Sequence, residues 1–174
     1  MDALLTTPRL LLRPHHLSDV PFMVRLNDDP DVVRYTGDVA FEDPSEAVAV
    51  VRSLQRQFAA RRMGRLIAIE RATGEPVGWC GLKFREDEGV VDLGYRFLKD
   101  RWGRGYATEA GQACVRYGFD DLGLASMIAE VVPENKGSVR VLEKLGFRRI
   151  GPSPNQCNGF AADRYCLERA SEPS

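Results

Sequence analysis

Histidine is scarce in this chain, and long apolar runs are missing. The two histidines, His15 and His16, sit side by side near the start, and the four cysteines (Cys80, Cys114, Cys157, Cys166) include no Cys-x-x-Cys pair. Metal ligation needs several such side chains at short, repeated spacings, so no metal is expected. Cys80 and Cys114 read as small buried hydrophobes, and His15-His16 as a solvated turn. No apolar stretch is long enough to cross a bilayer, and Met1 to Leu12 carries Asp2 and Arg9 where a secretory leader would be apolar. A membrane partner is therefore not expected, and a reducing, cytoplasmic location is. Charge of one sign is also lacking. Lys plus Arg (24) balances Asp plus Glu (25), which removes the usual electrostatic argument for nucleic acid. There is no internal repeat and no low-complexity tract.

What is present is a globular composition, 44% hydrophobic over 174 residues, enough for one core. The spacing predicts a strand at Arg9–Arg13, then a short helix capped by Ser18 and carrying Phe22, Met23 and Leu26, stopped by a turn at Asn27–Pro30. Asp43-Pro-Ser-Glu46 is a helix start, with Ala47, Val50, Val51, Leu54 and Phe58 at helical spacing and Gly64 as its end. The period then changes to that of strands at Leu66–Glu70, Val77–Phe84 and Val90–Leu98, an antiparallel meander. A helix follows from Tyr106, a strand at Met127–Val132, and a helix at Asn135–Leu145. Two closing strands, Phe147–Ile150 and Asp163–Leu167, flank a Gly/Pro/Asn-rich loop at Gly151–Gly159. This predicts one α+β domain over residues 1–170 with a short tail at 171–174.

The stretch Val90 to Gln112 organises the rest. An apolar strand crosses a loop containing Gly103 and Gly105 and enters a helix. Glycines let backbone approach a ligand, and the unpaired N–H groups of a first helical turn favour an anion.

Three blocks give these elements a resemblance. Thr7-Pro-Arg-Leu-Leu-Leu-Arg13 with Asp19 is the first. Leu93-Gly-Tyr-Arg-Phe-Leu98 with Trp102-Gly-Arg-Gly-Tyr-Ala-Thr-Glu109 is the second. Pro133-Glu-Asn135, Ser138 and Lys144-Leu-Gly-Phe147 form the third. In this order they resemble the GNAT acetyltransferases, and most closely the Rim-type branch that acetylates ribosomal-protein N-termini. Gly105 and Ala107 fill the end of the family's phosphate motif. Trp102 stands where most members carry Gln or Arg, as is common in the Rim-type branch. The resemblance implies a GNAT fold, a mixed, mostly antiparallel sheet of about seven strands flanked by about four helices. It implies acetyl-CoA as co-substrate. Phe97 and Leu98 would pair by backbone with the pantetheine arm, while Arg101, Trp102, Gly103, Arg104, Gly105, Tyr106, Ala107 and Thr108 would surround the pyrophosphate. Asn135 would hold the pantetheine and Ser138 would face the sulfur.

The chemistry requires a neutral amine, a polarised carbonyl and a proton for the departing thiolate. The tyrosine many relatives use as acid falls at Leu142, so Ser138 is the substitute, alongside a purely binding or capping role. Asp92, Glu130 and Asp163 are base candidates, each weighed against a structural ion pair. Trp79 and Tyr95 read as core ahead of cleft lining, and Glu109 as the partner of a nearby cation. The expected acceptor is a protein or peptide N-terminal amine. A small amine (aminoglycoside, polyamine or amino-acid analogue) and a non-catalytic coenzyme-binding module are the alternatives. Acceptor choice is placed in Asn27–Asp43 and Gly151–Gly159; the aspartates of the former are a hint of a cationic acceptor or merely a solvated loop. Monomer and homodimer stay open.

Overall fold

The computed structural model describes residues 3–171; the tail expected at 171–174 lies almost wholly outside them. The described residues form eight strands: β1 (Leu5–Thr6), β2 (Leu10–Arg13), β3 (Arg65–Glu70), β4 (Pro76–Arg85), β5 (Val90–Phe97), β6 (Ser126–Val131), β7 (Arg148–Cys157) and β8 (Phe160–Glu168). Five α-helices join them: α1 (Val20–Asp28), α2 (Pro30–Val33), α3 (Pro44–Arg61), α4 (Tyr106–Arg116) and α5 (Lys136–Lys144). The α+β class holds. The strand beyond the expected seven is two-residue β1, and the helix beyond the expected four is α2, where Asp29 accepts from Asp31 N–H and Pro30 takes the first position of what read as a turn.

All eight strands lie in one sheet, ordered β1-β2-β3-β4-β5-β6-β8-β7. Every neighbouring pair is antiparallel except β5–β6, which is parallel. Side chains alternate across the sheet and so serve two helix layers. Leu10, Leu12, Leu66, Leu82, Leu93 and Phe97 pack with Ala110 and Cys114 of α4 and Leu142 of α5. Ile67, Ile69 and Leu98 pack on the opposite face with Phe22, Met23 and Leu26 of α1 and Val51 of α3. Cys80 and Cys114 meet inside the first cluster as free thiols, sulfurs 3.7 Å apart.

Local signals held where their cause was local. Asp43 caps α3 by accepting from Ser45 N–H at 2.7 Å. Elsewhere tertiary context changed the outcome. The carboxylate that organises the turn before α1 is Asp19 and not Ser18: it accepts from His16 N–H at 2.7 Å and pairs with Arg13 at 2.8 Å. Helix α3 ends at Arg61, with Arg62 in the left-handed conformation (φ 54°), two residues before Gly64. Val50 of that helix is exposed while Ala47 and Val51 are buried. His15, expected in a solvated turn, is buried.

The largest correction falls on Gly151–Gly159. It is no loop: β7 runs through Pro152 and Pro154 to Cys157, and β8 begins at Phe160. An edge strand tolerates proline because its outer N–H groups need no partner. The connection is Asn158-Gly159, with φ 50° and 80°, the paired positive φ of a tight hairpin turn.

Candidate active site

The sheet opens beside β5. Among the described residues β5 and β6 pair only at Asp92 with Ile128. Leu98 N–H donates to Val77 O on the β4 side, and the β4–β5 register runs unbroken from Val90 to Phe97. The alternation of an antiparallel ladder therefore turns the N–H and C=O groups of Tyr95 and Phe97 toward the unpaired edge. Leu98, expected there, is committed to β4 by its N–H and to the opposite core by its side chain. The groups left on the open edge are the N–H and C=O of Tyr95 and the N–H of Phe97, whose carbonyl accepts from Trp102 Nε1.

A cleft of about 670 Å³ lies against this edge. Tyr95, Arg96 and Phe97 form its floor. The loop after β5 and the first turn of α4 supply Lys99, Arg101 to Gly103, and Gly105 to Thr108. Helix α5 adds Asn135, Gly137, Ser138, Arg140, Val141 and Lys144, and the α2 segment adds Asp31, Val32 and Arg34 to Thr36. Of the residues expected to hold a coenzyme, Leu98 and Arg104 do not line the cleft; the others do.

Each side chain has a local reason for its place. Gly105 caps α4 with φ 80°, and no side chain caps that helix, so its first-turn N–H groups face the cleft unblocked. The loop is tied at both ends. Trp102 Nε1 donates to Phe97 O at 2.9 Å. Arg104 contributes its carbonyl, which accepts from Arg9 Nη1 at 2.8 Å. Glu109 is indeed a cation's partner: it accepts from Arg9 Nε and from Thr7 Oγ1, both at 2.6 Å, and so locks β2 to α4. Tyr106 donates to Glu70 at 2.5 Å, a bond that raises its phenol and lowers the carboxyl.

Asn135 caps α5 by accepting from Ser138 N–H at 3.3 Å. Ser138 faces the cleft with its Oγ 2.9 Å from the Tyr95 hydroxyl, which also reaches Ser138 O at 3.0 Å. Burial pushes the Tyr95 phenol well up, against the pull of the Ser138 bond. Tyr95 thus lines the cleft and also packs against the first core cluster, so both readings weighed for it hold. The available signal was parity, because Tyr95 shares a strand face with Phe97. Trp79 sits away from the cleft, between the guanidinium groups of Arg65 (5.5 Å) and Arg96 (5.1 Å).

Asp92 and Glu130 are brought together, but not in the cleft. Asp92 pairs with Arg65 (2.5 Å) and Arg85 (2.6 Å), and Glu130 with Arg85 (3.1 Å) and Arg164 (2.6 Å). Burial alone would raise both carboxyls. The arginines outweigh it at Asp92, and Ser153, Arg85 and Arg164 hold Glu130 down to about 2. Carboxylates so strongly stabilised as anions are poor proton acceptors. Asp163 is similarly engaged, by Arg149 at 2.7 Å.

The α2 segment is closed over by the β7–β8 hairpin. Asn158 Nδ2 donates to Val33 O (3.0 Å) and Asp38 O (3.2 Å), and Tyr35 meets Phe160 edge-on at 5.2 Å. Of the aspartates that hinted at a cationic acceptor, Asp29 and Asp43 cap helices and two others are paired with cations. Asp31 pairs with Lys99 and Arg34, both at 2.5 Å, and Asp38 with Arg96 at 2.6 Å.

The family profile described as "Acetyltransferase (GNAT) domain" matches residues 9–148. A Bacillus licheniformis protein described as "Uncharacterized N-acetyltransferase p20" is 33% identical, covering 84% of this chain and 83% of its own. The solved GNAT-family acetyltransferase from Bacillus anthracis superposes with a TM-score of 0.79 at 26% identity, over 94% of this chain and 97% of that one. The spermidine N-acetyltransferase of Vibrio cholerae, solved with CoA and spermine, shares the fold at a TM-score of 0.76 and 19% identity, over 92% and 95% of the two chains. Sheet, cleft and sequence relatives agree, and the chain belongs to the GNAT acetyltransferase family, as an N-acetyltransferase.

Proposed function

We propose that this enzyme moves an acetyl group from acetyl-CoA to the α-amine of a peptide or protein N-terminus, as in the Rim-type branch, by direct attack with both substrates bound. The observation that carries the reading is the Tyr95–Ser138 pair at the open edge of β5, where the phosphate-type turn of α4 and the α2 segment meet in one cleft. The cleft suits the donor: an unpaired strand edge for an amide-bearing arm, an uncapped helix terminus, and Arg101, Arg140 and Lys144 for phosphates.

Bound acetyl-CoA supplies a thioester whose carbonyl carbon accepts the amine nitrogen as the C–S bond breaks. The Phe97 N–H, turned to the open edge, polarises the carbonyl oxygen. The Tyr95 hydroxyl reaches both Ser138 O and Ser138 Oγ; when its one proton turns from the carbonyl to Oγ, the serine proton is released toward the departing sulfur. The raised Tyr95 phenol stays neutral, so it orients Ser138 without ionising. An α-amine loses its proton near pH ~8, against ~10.4 for lysine, so water suffices as base. Asp92 and Glu130 then serve as an ion-pair clamp between β4, β5, β6 and β8.

The substrate test is a mass-shift screen with acetyl-CoA over N-terminal peptides, spermidine and aminoglycosides. Peptides gaining one acetyl group support the reading. Turnover confined to the small cations overturns it, and so does acetyl-CoA binding with no amine consumed, the signature of a non-catalytic module. For the donor half, Gly105→Ala is expected to weaken acetyl-CoA binding roughly tenfold by calorimetry. A non-glycine residue at φ 80° costs about 1–2 kcal/mol, and the added Cβ lies 3.4 Å from Arg9 Nη2. Unchanged affinity would remove the turn from the coenzyme site.

A further inference from the structure

Resting on the acetyltransferase reading, we infer that the acceptor is an amine carrying an anionic group close to its nitrogen, and not a polycation. Among the described residues Asp31 is the one carboxylate lining the cleft, against Arg34, Arg96, Lys99, Arg101, Arg140 and Lys144. Three of these cations suit the phosphates of the donor. The other three, Arg34 beside α2, Arg96 on β5 and Lys99 at the start of the loop after β5, all pair with carboxylates of the α2 segment, Asp31 or Asp38.

Asp31 is already shared between two cations, which offset its pull on a substrate ammonium. Lys99 and Arg34 both hold it, and the Lys99 bond is the first cause of its lowered carboxyl. The two cations are each 55% exposed at the side chain, so their outer N–H groups remain available. Arg96 is buried behind them. Asn27 Oδ1 accepts from Nη1 at 2.7 Å and Asp38 from Nη2 at 2.6 Å, while Nε has no partner. The charge of Arg96 is offset by Asp38, so the net positive charge of this wall comes from Arg34 and Lys99, two cations sharing the one Asp31 carboxylate. With Arg101, Arg140 and Lys144 serving the donor, a spermidine-like acceptor would meet these two exposed cations and that shared carboxylate. A carboxylate or phosphate a few bonds from the attacking nitrogen would meet two exposed cations in the right quadrant and bring the amine toward Ser138. The source is either the α-carboxylate of a free amino acid or an acidic residue beside a peptide N-terminus.

The test measures kcat/KM on amidated peptides that differ only in Glu, Gln or Lys at the second position, with free glutamate and spermidine alongside. The Glu peptide is expected to exceed the Gln peptide about 5- to 10-fold, with the advantage shrinking as salt rises. In Lys99→Gln/Arg34→Gln the Glu:Gln ratio is expected to fall to near one while acetyl-CoA affinity, which reports the fold, stays within twofold. Glutamate acetylated with every peptide ignored also supports an anionic acceptor while overturning the peptide reading. Equal rates on the three peptides overturn the inference and leave the proposed function standing. A Lys-peptide or spermidine preference overturns it as well, as does a Glu:Gln ratio that survives the double substitution.

Discussion

Tyr95→Phe is expected to lower kcat about 100-fold while the KM for acetyl-CoA changes by no more than two- to threefold, the lower end of what a positioned proton donor contributes. The phenol touches Ser138 at both Oγ and O, and removing its oxygen frees the serine hydroxyl to rotate without moving β5 or α5. Ser138→Ala is expected to cost a similar factor. Because the two act as one unit, the double variant should be little worse than either single change, and that non-additivity is the signature to look for. Steady-state kinetics on the three variants decides the matter. A kcat within threefold of the parent in both singles would take the pair out of the chemistry. A rise in acetyl-CoA KM with kcat intact would make Ser138 a binding residue only.

Acid is expected to weaken the fold through His15. Its ring is 2% exposed, and neither Nδ1 nor Nε2 has a partner. Burial lowers the imidazole to about 4, with Asp19 opposing and Arg13 and His16 adding to the fall. The folded state thus binds a proton less readily than the unfolded chain, whose histidine titrates near 6.5. Stability is then fully present above about pH 6.5 and declines as pH falls toward 4, because over that interval only the unfolded chain takes up the proton. The loss is on the order of 3 kcal/mol. Asp92 and Glu130 are shifted in the same downward direction, from lower starting values, and so withdraw their contribution at lower pH, as it drops through and below the ordinary carboxylate range. Denaturant midpoints between pH 7 and 4.5 check the expectation. His15→Leu should flatten the upper part of the profile, since it removes the titrating ring and two unsatisfied nitrogens. An unchanged slope in that variant would assign the acid loss to other groups.

What could be read from sequence divides by the range of the cause. The strand-turn-helix around Gly105 was legible because a positive φ, an apolar strand and a small-residue helix are each written within a few neighbouring residues. Gly151–Gly159 was misread because prolines and glycines dilute a strand signal, and only membership of a sheet edge makes them harmless. Leu98 failed on ladder parity, which depends on how β4 pairs. Tyr95 could not be divided between core and cleft, and it serves both, because a strand face becomes one or the other according to where α5 lands. His15 failed because its burial comes from β2, α1 and α3 meeting. Asp92 and Glu130 could be weighed as base or ion-pair partner but not assigned, because their partners Arg65, Arg85 and Arg164 are distant in sequence.

The strand order has a consequence for how the molecule is made. β8 follows β7 in the chain yet lies between β6 and β7. During synthesis β7 therefore emerges with no place on the sheet, and the apolar edge of β6, Met127 to Val131, waits uncovered until Glu168 has left the ribosome. Strand β2 likewise meets β3 and α4 only after long loops close, a costly and slow kind of contact. The nascent chain passes through an interval in which six of the eight strands exist with a free, hydrophobic flank. That interval is when a second copy or a chaperone would find it.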